Sequence, residues 1–345
     1  MRLSSWNYEL TLVHPFTIAR GSVQTKTVVI TEIEHDGITG LGEAAPISRY
    51  GETAATVTEF LRRVEFSGFA DPFCAEEILA SVGALAPGNT AAKASIDLAL
   101  HDWIGKKLGL PLYRFWGLDS AKAPVSSFTI GIDEPEVIES KVHEAEEYPI
   151  LKVKLGTDQD REIMRAIRRA TSKTIRVDAN EGWKTKERAL EKIRWLEQEN
   201  VEFVEQPMPA SDLAGTAWVR ERVALPLFAD ENSIRAHDVP ALADAFDGVN
   251  LKLMKSTGLR EGLAFIHTAR SCGLKVMIGC MIETSLGITA AAHLSPLADY
   301  ADLDGNVLTS NDPFDGVRMA RGRLVLPDRP GIGVVGRGTQ GHALS

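Results

Sequence analysis

The chain has 345 residues, 44% of them apolar and 25% charged, with a formal net charge of −9. That balance excludes a disordered polypeptide, and it disfavours nucleic acid or an anionic membrane as the main partner, because either would call for a basic face. No apolar run reaches membrane-spanning length, and the opening MRLSSWNYEL carries no signal-peptide core. Three cysteines, Cys74, Cys272 and Cys280, stand at no metal-ligand spacing and leave an odd thiol if two were to pair, so a reducing, cytoplasmic setting is expected.

In chain order, the first fifty residues read as strands. YELTLVHPF, KTVVITEIEHDG and ITGLGEA alternate apolar and polar side chains, and Asp36-Gly37 is a strong hairpin turn. From about Gly51 to Trp116 the periodicity becomes helical. It ends in TAAKASIDLALHDWIGKKLGL, where Ala94, Leu98, Ala99 and Trp103 share a stripe and Gly109 with Pro111 stops the helix. From about Ala123, short apolar runs alternate with helix-length stretches: SSFTIGI, LKVKLG, TIRVDAN, EFVEQP, LPLFADE, GVNLKLM, KVMIGCM and the short YADLDG. Eight such units predict an α/β fold, a (β/α)8-type modified TIM barrel with catalytic groups at its C-terminal face. The expected division is an N-terminal α+β domain over 1–120, the barrel over 121–320 and a tail over 321–345. The tail, RGRLVLPDRPGIGVVG, is expected to pack back on the N-terminal sheet.

Five charged residues mark the ends of the middle strands: Lys154, Asp178, Glu205, Asp230 and Lys252, separated by 24, 27, 25 and 22 residues. A single carboxylate at a strand end commonly just caps the helix that follows. Three in register on consecutive strands, with no His or Cys beside them, point instead to a hard cation, Mg²⁺ first of all. Asn180, Glu181 and Glu231 are placed to supplement the site or to orient its ligands. Lys154 on the second strand and Lys252 on the sixth face each other across an eight-stranded ring, so a carbon held between them has a base on each side. Lysine is a weak base at its reference pKa of about 10.4, and nearby cations, Lys152 and Mg²⁺, are expected to lower it.

GLGEAAP, AxxDLALHDWxGKKLGLPLY, KVKLG, VDANEGW, VEQP, ADEN, NLKLMKSTG and PGIGV together resemble the enolase superfamily, in the branch that holds muconate cycloisomerases and dipeptide epimerases. The resemblance spans almost the whole chain. It implies a substrate carboxylate on Mg²⁺, removal of the α-proton by one of the two lysines, and an enediolate whose charge the metal holds. Within the branch, the eighth strand separates the activities. ADLDG supplies Asp302 and Asp304 on one face, opposite Glu205, where Asp302 can receive a substrate ammonium, as in dipeptide epimerases. PFTIARGS and PISRYGET resemble the two loops of the N-terminal capping domain that close over the barrel mouth. Arg20 matches the position at which L-Ala-D/L-Glu epimerases use arginine for the glutamate carboxylate. Weaker roles fall to Arg49, Tyr50, Glu52, Thr129 and Glu283.

The expected activity is therefore Mg²⁺-dependent epimerisation of the C-terminal residue of a small-molecule dipeptide, L-Ala-D/L-Glu from cell-wall peptides before others, by two-base proton transfer. The alternatives are another dipeptide, a muconate-type cycloisomerase, an N-acylamino-acid racemase, or a catalytically silent carboxylate-binding protein on the same fold. Oligomeric state, a homo-oligomer included, is not legible in these residues. The glycines of GITGLGEA open no helix after a strand, so they read as turn or packing glycines and not as a dinucleotide fingerprint. His101, His293 and Cys280 lie in apolar stretches and read as core.

Overall fold

Alternating side chains over Arg2–Ile18 (β1), Gly21–His35 (β2) and Ile38–Ala44 (β3) form an antiparallel sheet in the order β1-β2-β3, in a computed structural model that describes residues 1–337. Asp36 and Gly37 both take positive φ, 50° and 71°, which matches the twist of the hairpin they join. Helices α1 (Ala54–Leu61), α2 (Ala75–Ala84), α3 (Thr90–Leu108) and α4 (Leu112–Phe115) follow. The single apolar stripe expected on α3 is half of what is there, since every residue from Ala91 to Gly105 is buried. One side packs Ala92, Ile96 and Leu100 with Val29 and Ile33 of the sheet, and the other sends Ala94 and Leu98 into the barrel core. The glycines of ITGLGEA make the first contact possible. A Cβ on Gly40 would stand 2.1 Å from Ala99 O and one on Gly42 1.9 Å from Ser95 O.

Eight parallel strands then follow: β4 (Phe128–Ile130), β5 (Ile150–Lys154), β6 (Thr174–Asp178), β7 (Val201–Glu205), β8 (Leu227–Ala229), β9 (Gly248–Leu251), β10 (Lys275–Gly279) and β11 (Tyr300–Asp302). Ser126 bridges to Ala301 and Ser127 N donates to Ala301 O at 3.2 Å, which brings the first strand against the last and nearly closes the barrel. Helices α5 (Pro135–Glu144), α6 (Asp160–Ala170), α7 (Lys186–Leu196), α8 (Leu213–Arg220), α9 (Leu259–Ser271) and α10 (Ser285–Ala292) surround it. After β8 the expected helix is a 3-10 turn, Ala236–Leu242, with Pro240 inside it, a residue that cannot donate to an α-helical ladder. Phe203, Phe228 and Met277 cluster with Tyr300, and the Arg176 guanidinium lies 5.4 Å and 5.1 Å from the Phe203 and Tyr300 rings. Cation and rings fill the barrel interior as a packed core.

After the barrel strands come β12 (Phe314–Asp315) and β13 (Arg318–Ala320), and the tail from residue 321 holds β14 (Arg323–Val325) and β15 (Val335–Gly336). It pairs with no strand of the N-terminal sheet among the described residues, and it packs on the N-terminal domain through α3 and the segment after it. Buried Asp102 accepts from Ile332 N at 2.7 Å and from Leu41 N at 2.8 Å, so one carboxylate of α3 ties the tail and the sheet to the helix between them. Residues 338–345 of the expected tail lie outside the described residues. Among those described, no helix is long and apolar enough to cross a membrane, and all three cysteines are free thiols.

Candidate active site

Parallel register places the rim. Lys154 pairs with Asp178 across β5 and β6, and Asp178 pairs with Glu205 across β6 and β7, so these three leave the sheet at one level. Asp230 follows β8 by one residue and joins them: carboxylate oxygens of Asp178, Glu205 and Asp230 lie within 4.8 Å of one another, all buried. Each is oriented by a neighbour. Asp178 Oδ1 accepts from Asn180 N at 2.9 Å, Glu205 Oε1 from Asn250 Nδ2 at 2.7 Å, and Asp230 N donates to Gln206 Oε1 at 2.9 Å. Beside them the buried Asn180 Oδ1 has no partner. A hard divalent cation fits this oxygen-only donor set.

Four ammonium groups reach the cluster from two sides. Lys154 Nζ stands 2.7 Å from Asp178 Oδ2, and Lys252 Nζ 2.9 Å from Asp230 Oδ2, on strands four apart in the ring. Lys152 Nζ lies between Asp302 (2.7 Å), Glu205 (2.6 Å) and Asp178 (3.2 Å), and Lys255 Nζ holds Asp230 Oδ1 at 2.5 Å. Burial opposes the ionisation of Asp178 and Asp230, yet the lysines outweigh it and keep both carboxyls below the usual range. Glu205 goes the other way, raised by burial and then by the Asp178 charge. Burial and Lys152 push Lys252 down as expected from the sequence, but Asp230, Glu205 and Asp178 outweigh them and its pKa is raised.

The cavity above this cluster, about 560 Å³, has two polar ends. At one, Asp302 accepts from Ser127 Oγ at 2.9 Å as well as pairing with Lys152, and Asp304 accepts from Thr129 N at 2.6 Å. Burial and then the Asp302 charge raise Asp304 to about 6. At the other end, Arg20 Nη1 donates to Glu231 Oε1 at 2.7 Å, Asn180 O at 2.9 Å and Glu181 Oε2 at 3.3 Å, while Arg49 grips Glu181 at 2.9 Å and 3.2 Å. Burial, then Asp230 and Asp178, raise Glu231 to about 7. Asn180 and Glu181 hold these positions at φ of 44° and 66°, uncommon for residues other than glycine. Phe16, Ile18, Tyr50, Met281, Ile282 and Leu308 supply apolar wall between the two ends.

The residues singled out from the sequence, Lys152, Lys154, Asp178, Glu205, Asp230, Lys252, Asp302, Asp304, Thr129 and Arg20, thus all meet in one cavity or line it. Glu52 does not: it accepts from Thr90 N and Ala91 N at the start of α3. Lys255, Asn250 and Gln206 were not singled out. Lys255 had a signal, a second lysine three residues after Lys252 in NLKLMKSTG, but its full burial depends on the turn that follows β9.

Fold and site define a barrel of the enzyme type whose mouth sets a carboxylate triad, able to hold a metal ion, between two opposed lysines. The chain belongs to the mandelate racemase / muconate lactonizing enzyme family of the enolase superfamily: residues 6–117 match that family's N-terminal domain and residues 137–338 the enolase C-terminal domain-like family. It is 49% identical to an L-Ala-D/L-Glu epimerase of Bacteroides thetaiotaomicron over 97% of this chain and 88% of the relative. It is 45% identical to an L-Ala-D/L-amino acid epimerase of Pedosphaera parvula over 96% and 97%. Among solved structures, it resembles a substrate-liganded L-Ala-D/L-Glu epimerase from Bacillus subtilis, with a TM-score of 0.90, 30% identity and coverage of 98% and 99%. A dipeptide epimerase from Cytophaga hutchinsonii complexed with Mg and D-Ala-L-Val gives 0.92, 29%, and 98% and 96%.

Proposed function

We propose that the protein is a Mg²⁺-dependent dipeptide epimerase that inverts the α-carbon of the C-terminal residue, with L-Ala-D/L-Glu as its first substrate. The observation that carries the reading is the opposition of Lys154 and Lys252 across the carboxylate triad, which offers a base to each face of one carbon, as inversion requires. Asp178, Glu205 and Asp230 hold the metal. Bound there, Mg²⁺ supplies a Lewis acid for the substrate carboxylate and positive charge that lowers the proton affinity of nearby amines. One lysine takes the α-proton and the other returns a proton to the opposite face, so the configuration inverts and the protonation states of the lysines exchange.

Asp302 and Asp304 receive the substrate ammonium, with Lys152 and Thr129 fixing the two carboxylates. The Nη1 atom of Arg20 is occupied by Glu231, Asn180 and Glu181, which steadies the guanidinium with its other donors available to a substrate side-chain carboxylate. An N-acylated substrate, as a racemase would take, brings no ammonium to Asp302 and leaves it paired with Lys152 alone. The free thiols and acidic charge suit a cytoplasmic enzyme acting on peptides of cell-wall origin. Incubating the protein with L-Ala-L-Glu and Mg²⁺ and separating the diastereomers by chromatography tests the reading. Formation of L-Ala-D-Glu, stopped by chelator, supports it; conversion of N-acyl amino acids in preference to free dipeptides overturns it.

A further inference from the structure

The two bases are anchored differently. Lys154 is the last residue of β5, held in register opposite Asp178 of β6 while the residues just before it also pair with β4, and the loop after it is closed from its own segment: Asp160 Oδ1 accepts from Gly156 N at 2.9 Å and Thr157 N at 2.8 Å. Lys252 follows the last residue of β9 and heads a tight turn. Lys255 N and Ser256 N both donate to Lys252 O, at 3.0 Å and 3.1 Å, and Gly258 N donates to Leu253 O at 3.0 Å. Thr257 and Gly258 then take φ of 61° and 108°, and the chain enters α9. The first amides of a helix have no partner within it, and Gly258 at the N-cap has no side chain to offer.

Their acceptor comes from the N-terminal domain. Asp97, fully buried in the middle of α3, accepts from Leu259 N and, at 3.4 Å, from Arg260 N through Oδ2. Approach is so close that a Cβ on Gly258 would stand 2.2 Å from that oxygen. The other oxygen, Oδ1, faces His101 Nδ1 at 3.3 Å, one helical turn further along α3. A buried carboxylate on a rigid helix thus fixes the far end of the seven-residue turn, Lys252 to Gly258, that carries one base and no part of the other.

We propose that Asp97 is a positioning residue for Lys252, so that the N-terminal domain sets the geometry of proton transfer on one face of the substrate carbon and not on the other. The inference rests on the two-base reading above. Asp97→Asn keeps the shape and one acceptor and removes the charge; Gly258→Ala wedges the same contact open and leaves the carboxylate in place. Glu76→Gln, which breaks the exposed Glu76–Arg260 pair across the same boundary, serves as the control.

Backbone amide hydrogen exchange, which needs no activity, is measured first. Asp97→Asn should speed exchange over 252–262 and leave 150–160 as in the unsubstituted protein. Loss of the α-proton of L-Ala-L-Glu and L-Ala-D-Glu into D₂O is then followed for each protein. The diastereomer whose exchange disappears in Lys252→Ala should exchange about tenfold to a hundredfold more slowly in Asp97→Asn, a loss in kcat more than in KM, as for a displaced catalytic group. The other should change little. Should Asp97→Asn fail to fold, Gly258→Ala must show the same asymmetry. Equal slowing of both diastereomers, or amide exchange unchanged over 252–262, overturns the proposal. If amide exchange responds as expected while the unsubstituted protein exchanges neither dipeptide, the epimerase reading fails, and the assignment of Asp97 to a base falls with it.

Discussion

The two ends of the cavity are built in opposite ways. At the acidic end, Asp302 and the Ser127 and Thr129 groups that orient the carboxylates lie on or beside β11 and β4, and the Asp302 side chain is 6% exposed. At the arginine end, Arg20 and Arg49 come from loops of the N-terminal domain and are 34% and 39% exposed. Barrel strands fix atoms to the register of a sheet, whereas loops can change length and sequence without disturbing it. On the proposed function, the barrel-borne acidic end and triad carry the chemistry, and the loop-borne arginine end selects the substrate side chain.

The harshest test removes what both ends depend on. Asp178→Asn, Glu205→Gln or Asp230→Asn should each lower kcat/KM by about a thousandfold or more while leaving the far-ultraviolet circular dichroism unchanged, because several kcal/mol of charge stabilisation is lost. Full activity in chelator, with metal content verified as nil, would separate the triad from catalysis. At the arginine end, the unsubstituted enzyme should prefer L-Ala-L-Glu to L-Ala-L-Gln by roughly tenfold to a hundredfold, the range that a charge-assisted hydrogen bond of about 1.5–3 kcal/mol supplies. Arg20→Met should erase most of that preference and spare L-Ala-L-Leu. An unchanged Glu/Gln ratio in the mutant would take Arg20 out of substrate selection.

At the acidic end, N-acetylation of the dipeptide should lower kcat/KM by about tenfold, the low side of the cost of an unmatched charge, because Lys152 already pairs with Asp302. Equal rates for acetylated and free substrate would remove the ammonium site. The smallest effect lies where the two domains meet. Glu43 of β3 accepts from Thr284 N at 2.9 Å and Gly287 N at 3.0 Å, and burial with the nearby Glu283 raises it to about 8. A carboxyl raised in the folded state stabilises fully below its unfolded value of about 4.5 and loses that contribution as pH climbs through the folded value. The melting temperature should thus fall between about pH 5 and about pH 8, and Glu43→Gln should flatten the slope. The same slope in the unsubstituted and Glu43→Gln proteins would show that this carboxyl does not titrate over that window.

The barrel and its rim were legible in the sequence because parallel strands buried on both faces read as short apolar runs, and a charge closing each run stands out against them. Lys154, Asp178, Glu205, Asp230 and Lys252 are of that kind. What escaped lies in three-dimensional closure. Asn250 and Gln206 orient ligands from neighbouring strands, and nothing in NLKL or VEQP says which way an amide turns. Arg20 was legible as a loop arginine, but its Glu231 and Glu181 partners depend on Asn180 and Glu181 adopting positive φ after β6. The full burial of α3 was hidden because its second face is covered by another domain, which a one-stripe periodicity cannot report.

The central claim, two opposed bases on one carbon, is tested most directly by exchange of the α-proton in D₂O with Lys154→Ala and Lys252→Ala. Each mutant should lose epimerisation, and each should retain exchange of a single diastereomer, the two mutants retaining opposite ones. Equal residual exchange of both diastereomers by either mutant would contradict it.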